Sequence, residues 1–223
     1  MQTTKEKLIL AAEKMFALEG IEGVSLRRIS ASSGQRNNSA LQYHFGNREV
    51  LLEAILAHRM EGINQRRCQM LAELDQSGGS EDIRAIVAVV VYPFIEQICI
   101  SRESYYVGFL SRYYSYAEPG EIFKAQKPWM SGLMAINERL QSLLRDTPPE
   151  VLAQRLTLMG ALSIHSIADF EQRVRQSAGV VDYSPSEVFA SVLVDFIHGG
   201  LVAPVTSQTL ATLEAASIVR TEA

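Results

Sequence analysis

Two cysteines, Cys68 and Cys99, are all that 223 residues contain. They exclude a disulfide framework and point to a reducing cytosol. Long hydrophobic runs are missing as well. The longest uncharged apolar stretch is the eleven residues Ala85–Ile95, where a bilayer needs about 20, so no membrane span is expected. A signal peptide is not expected either, because Glu13 and Lys14 interrupt Leu8–Ala12 before an apolar region develops. No stretch alternates apolar and polar residues with period two, and no Asn-Gly joins two strands. Motifs for catalysis are equally scarce. There is no P-loop, Gly-x-Gly-x-x-Gly, Gly-x-Ser-x-Gly, His-Glu-x-x-His, Glu-x-x-His or Cys-x-x-Cys. No metal, no cofactor and no enzymatic activity are therefore expected. With 21 basic against 25 acidic residues, the net charge of −4 argues, as a total, against a nucleic-acid partner.

What is present is helix signal. Thr3 and Glu6 have capping-box spacing, Leu8, Ala12, Met15 and Phe16 recur at helical intervals, and Gly20 suits a helix end. Ser25 can cap a short second helix that stops near Ser32-Ser33-Gly34. A brief helical stretch, Ala40 to Phe45, precedes the Gly46-Asn47 break. Asn47 can then cap a long helix from Arg48 to about Asp75, polar around Asn64–Gln69. Ser80-Glu81-Asp82 starts the next helix, which Pro93 should kink or end. Thr147-Pro148 and Ser184-Pro185 each place a capper before a proline, opening helices over 148–176 and 185–198, the latter closed by Gly199-Gly200. The expectation is an all-α chain of nine or ten helices.

Charge is unevenly spread. Residues 1–48 hold seven Lys or Arg against four Glu, an excess of three positive charges, which leaves the rest of the chain at −7. The basic segment carries a short helix, a glycine turn and a second short helix, the helix-turn-helix arrangement. In that arrangement the second helix lies in the major groove with its N-terminal residues at base edges. Here those residues are Gln35, Arg36, Asn37, Asn38 and Ser39. Arg can read guanine, and Asn or Gln adenine. Asn37-Asn38 also suit a plain turn. Phe16, Leu26, Ile29, Leu41 and Phe45 are expected to form the core of this three-helix unit.

At these residues the sequence resembles the TetR family of bacterial transcriptional repressors. The resemblance covers Leu8 to Leu52 and rests on Ala11-Ala12, Phe16 and Gly20, on Gly23-Val24-Ser25-Leu26-Arg27-Arg28-Ile29-Ser30, and above all on Leu41-Gln42-Tyr43-His44-Phe45-Gly46-Asn47-Arg48-Glu49-Val50-Leu51-Leu52. It implies phosphate contacts from Ser25, Gln42, Tyr43, His44 and Arg48. One departure stands out. Ten residues separate Gly34 from Phe45, where the common pattern has nine. A lengthened turn would shift the recognition helix to start at Asn38 or Ser39.

The resemblance further implies a DNA-binding domain over 1–48, a helical effector-binding and dimerisation domain over 49–223, and a cytoplasmic homodimer that reads a palindromic operator on double-stranded DNA until a small-molecule effector releases it. Aromatic residues cluster at Tyr105, Tyr106, Phe109 and Tyr113, followed by Trp129 and Met130, and these are the candidate pocket, with core packing as the competing reading. Apolar faces marked by Leu152, Leu156 and Met159, and by Val188, Val192 and Phe196, are the candidate dimer interface, unless they bury against their own chain. The alternative for the whole protein is an all-α ligand carrier or enzyme whose N-terminal helices are scaffold. The polar, basic surface from Gln35 to Arg48 is what such a protein would not need.

Overall fold

The structure, a computed structural model, describes residues 3–33, 39–101, 104–117, 127–176 and 183–221. For residues 39, 183–185 and 217–221 it describes backbone alone. The described residues form ten α-helices and no strand. In chain order they are α1 (Thr4–Glu19), α2 (Leu26–Ser32), α3 (Ser39–His44), α4 (Arg48–Ser77), α5 (Ile83–Ile100), α6 (Tyr106–Tyr116), α7 (Ser131–Leu143), α8 (Pro149–Gln176), α9 (Tyr183–Val202) and α10 (Ser207–Thr221). A 3₁₀ turn, Pro128–Met130, leads into α7.

Several boundaries follow from caps that the sequence displays. The Glu6 amide donates to the Thr3 hydroxyl at 3.2 Å, and the Thr3 amide donates to Glu6 Oε2 at 2.7 Å. Ser25 caps α2, Asn47 caps α4, and Asp82 caps α5 by accepting from the Ala85 amide. At Gly46, φ is +69°, which a residue with a Cβ rarely adopts, and the chain reverses there between α3 and α4.

Other boundaries depart from the expectation. α5 runs through Pro93 to Ile100, because Val90, Val91, Phe94 and Ile95 around the proline are buried and packing outweighs one missing N–H. α8 begins at Pro149, one residue later than expected. α9 continues through Gly199-Gly200 to Val202, held by burial of Ile197 and Leu201. Its backbone is already helical at Tyr183, two residues before the expected start, so Ser184 lies inside the helix and is not its cap.

One small core unites α1, α2, α3 and the head of α4. Leu8, Ala12, Phe16, Ile29, Leu41, Phe45 and Leu51 are buried there, and Leu26 is half-buried. Behind it, α5 is the central strut of the body, packed against α4, α7, α8 and α9. By length and composition, α5 and α8 are long and apolar enough to cross a membrane. α5 is thus longer than the uncharged run Ala85–Ile95, since Arg84 and Glu96 sit near its ends and pair with Asp195 and Arg66. Its apolar side chains, from Ile86 to Ile98, are instead covered by the surrounding helices.

Candidate nucleic-acid interface and internal cavity

Ser25, Arg27, Gln42 and Tyr43 are exposed around α2 and α3, with Tyr43 at 85%. His44 is half-buried, its ring edge-on to Tyr43 at 5.1 Å. Phe45 is buried and anchors the end of α3, so Gln42 and Tyr43 face outward while Leu41 and Phe45 face inward. Ser39 is the first described residue of α3, and Gln35, Arg36, Asn37 and Asn38 lie outside the described residues.

Arg48 is engaged within the domain. Its guanidinium is half-buried and donates to the carbonyls of Ile21 and Val24, the latter at 2.9 Å. It fastens the α1–α2 loop to the head of α4, so two of its N–H groups are occupied within the domain. Arg28 is likewise held by Glu19 at 2.7 Å.

Glu13 was not anticipated as a site residue, although Ile9, Glu13 and Phe16 share one helical face. Only 2% exposed, it accepts two bonds from Arg59 of α4, at 3.0 and 3.2 Å, and one from the Tyr105 amide at 3.3 Å. It thus joins α1 of the N-terminal domain to α4 and to the start of α6. Beside it, Phe16 of α1 meets Phe109 of α6 at 6.2 Å between ring centres. Glu171 of α8 caps α6 by accepting from the amides of Val107 and Gly108, and pairs with Arg175 at 3.0 Å. Burial pushes the Glu171 carboxyl upward, opposed by the Gly108 amide and Arg175. Gly108 permits this closeness, because a Cβ there would stand 3.3 Å from Glu171 Oε2 and 3.5 Å from Ala17.

A partly open cavity of about 230 Å³ lies between the helices of the body, with exposed Gln141, Ala153 and Thr157 at its rim. Its walls come from α4 (Met60, Arg67), α5 (Val90, Phe94), α6 (Leu110, Tyr114), α7 (Leu133, Asn137, Gln141) and α8 (Leu156, Thr157, Met159, Ser163 among others). Of the six aromatic-cluster candidates, only Met130 lines it. Tyr106 and Phe109 are buried core instead, because α6 is packed between α1 and α8. Tyr105 precedes α6 and its ring takes the Arg175 and Lys14 cations at 4.3 and 5.2 Å. Tyr113 and Trp129 are half-buried against the core. Leu110 and Tyr114, one turn apart, are the α6 residues that reach the cavity.

The interface candidates divide in the same way. Leu152 and Met159 are buried, and Leu156 and Met159 line the cavity, so the first set covers the chain's own interior. Val188, Val192 and Phe196 are exposed on α9, Phe196 at 70%. Leu158 of α8 is exposed as well.

Arg67 is the feature that sequence reading missed most completely. It is 2% exposed, and its Nε and Nη1 have no hydrogen-bond partner among the described residues. The guanidinium lies over the Phe94 ring at 5.1 Å. Burial pulls its pKa down to about 10, which keeps it protonated at neutral pH. The buried Ser163 hydroxyl, also on the cavity wall, lacks a partner among the described residues too. No group of His, Cys, Asp and Glu able to hold a metal ion occurs among the described residues.

Residues 8–55 match the family model described as bacterial regulatory proteins, tetR family. The chain is 29% identical over 87 residues to the HTH-type transcriptional repressor NicS of Pseudomonas putida. That match covers 39% of this chain and 40% of that protein. The crystal structure of Mycobacterium smegmatis AmtR aligns over 91% of this chain and 92% of that one, with a TM-score of 0.52 and 19% identity. At that identity the likeness is one of fold.

Proposed function

We propose that this chain, which belongs to the tetR family of bacterial regulatory proteins through its N-terminal domain, is a dimeric, sequence-specific DNA-binding regulator rather than an enzyme. It works in the cytoplasm as a repressor released when a small molecule fills the cavity. One observation carries the reading. A single helix, α4, begins beneath the exposed helix-turn-helix and forms a wall of the cavity through Met60 and Arg67. At 1.5 Å per residue, Arg67 lies about 28 Å along that helix from Arg48.

Gln35, Arg36, Asn37, Asn38 and Ser39 meet base edges, and Ser25, Gln42, Tyr43 and His44 hold phosphates. Arg48, committed to the Ile21 and Val24 carbonyls, acts by fixing the domain. One recognition helix reads only a few base pairs, so a dyad is needed to read a palindrome. Val188, Val192 and Phe196, spaced by one turn, offer α9 an apolar stripe for that dyad, and Leu158 of α8 is exposed as well. The 1–48 and 49–223 division serves these two tasks, although the apolar core is continuous across it.

Release follows from the Glu13 junction. A ligand that shifts α4 or α6 also shifts α1 through Arg59 and the Tyr105 amide. Bound ligand then favours a dimer whose recognition helices no longer match successive grooves. The test is duplex binding across a salt series. Affinity is expected to fall steeply, with a slope of about −0.9 per phosphate neutralised. Failure to bind any duplex at low salt would contradict the reading.

A further inference from the structure

Among the described residues Arg67 Nε and Nη1 have no hydrogen-bond partner, and the guanidinium lies against the face of the Phe94 ring. No carboxylate among these residues pairs with Arg67: Glu96 is taken by Arg66 at 3.0 Å and Glu13 by Arg59 at 3.0 Å. It cannot easily withdraw either. Asn64, one turn earlier on α4, accepts from the Gly132 amide at 2.7 Å and donates to Ser131 Oγ at 3.0 Å. That clamps α7 onto α4 so closely that a Cβ at Gly132 would stand 2.9 Å from Arg67 Cβ. The guanidinium is therefore held over Phe94, with its Nε and Nη1 buried and unpartnered, and Arg67 lines a mostly apolar cavity whose other polar residues include Tyr114, Asn137, Gln141, Thr157 and Ser163.

We infer that the cavity takes a small organic acid, whose carboxylate is held by Arg67 and whose compact apolar body lies among Met60, Val90, Leu110 and Met159. This deepens the effector reading above and rests on it for any consequence at DNA. A planar fork of N–H donors matches a carboxylate in two-point fashion. Burying a cation unpaired is costly, and an arriving anion with full hydrogen bonding removes that cost. Ser163 Oγ adds one further unpartnered polar group on the same wall. Among the described residues the guanidinium is the one charged group on the wall, which suits one negative charge better than the two of a phosphate. A volume of about 230 Å³ falls below the ~300 Å³ at which drug-sized pockets begin, so the body is one ring or a short branched chain.

The test is calorimetric titration of the full chain with benzoate, phenylacetate and 3-methylbutanoate, each paired with its neutral amide, and with inorganic phosphate. At least one acid should bind about tenfold or more tighter than its amide, and Arg67→Met should lose that advantage. Truncating an unpaired buried charge to an apolar chain of similar length should leave the fold intact, as a melting curve would show. Should the Met variant fail to fold, Arg67→Lys, which keeps the charge and loses the fork, should weaken acid binding severalfold. The inference is overturned if no acid binds, if amides or phosphate bind as well as the acids, or if the folded variant binds acids as the wild type does. An acid that binds through Arg67 and leaves DNA affinity unchanged contradicts the effector reading alone. Intact DNA binding with no acid bound contradicts the inference alone.

Discussion

Glu13→Ala lowers the melting temperature by roughly 6–12 °C. Removing one partner of a buried ion pair costs about 3–5 kcal/mol, and each kcal/mol is worth about 2–4 °C in a chain of this size. The low end applies because Arg59 keeps 23% of its side chain exposed. The loss strands the Arg59 guanidinium and the Tyr105 amide together, so α1, α4 and α6 lose one shared fastening. Glu13→Gln, which keeps an acceptor for the amide, is expected to fall between the two. Thermal melting followed by circular dichroism checks both. A shift within about 2 °C for Glu13→Ala would mean that the junction is held by Phe16 and Phe109 alone.

Phe196→Asp makes the protein monomeric and weakens operator binding by about 10²–10⁴-fold, the range lost when two linked contacts become one. The side chain is 70% exposed in the single chain, so the substitution costs the monomer fold little, within about 0.5 kcal/mol. Placed at a two-fold interface, the carboxylate would meet its symmetry mate in an apolar setting. Light scattering reads the mass and fluorescence anisotropy the affinity. A variant that stays dimeric and binds normally would move the interface away from α9.

Local signals in the sequence were sufficient for the elements of the first domain. The Thr3, Ser25 and Asn47 caps and the Gly46 turn stand where residue chemistry predicts them, because a cap depends on three or four neighbouring residues. Tertiary burial decided what local signals could not. Gly199 and Gly200 each cost about 1 kcal/mol in a helix, yet Leu201 is buried beyond them and the helix continues. The polar stretch Asn64–Gln69 reads as a solvated face, although Ile63, Arg67 and Leu71 lie one turn apart and all three are buried. Local spacing was thus enough to suspect Arg67, while its lack of a partner was visible only in three dimensions. The aromatic cluster misled for a similar reason. Tyr106 and Phe109 are as well suited to a core as to a pocket, and only the packing of α6 between α1 and α8 separates the two. The net charge of −4 hid a basic first domain on an acidic body.

Selection of bound sequences from random duplex DNA by the full-length protein tests the central claim most directly. A dimeric reader enriches a palindrome whose half-sites are about one helical turn apart, roughly 10 base pairs, or a multiple of that. Recovery of no preferred sequence, or of one half-site without its dyad mate, would contradict that claim.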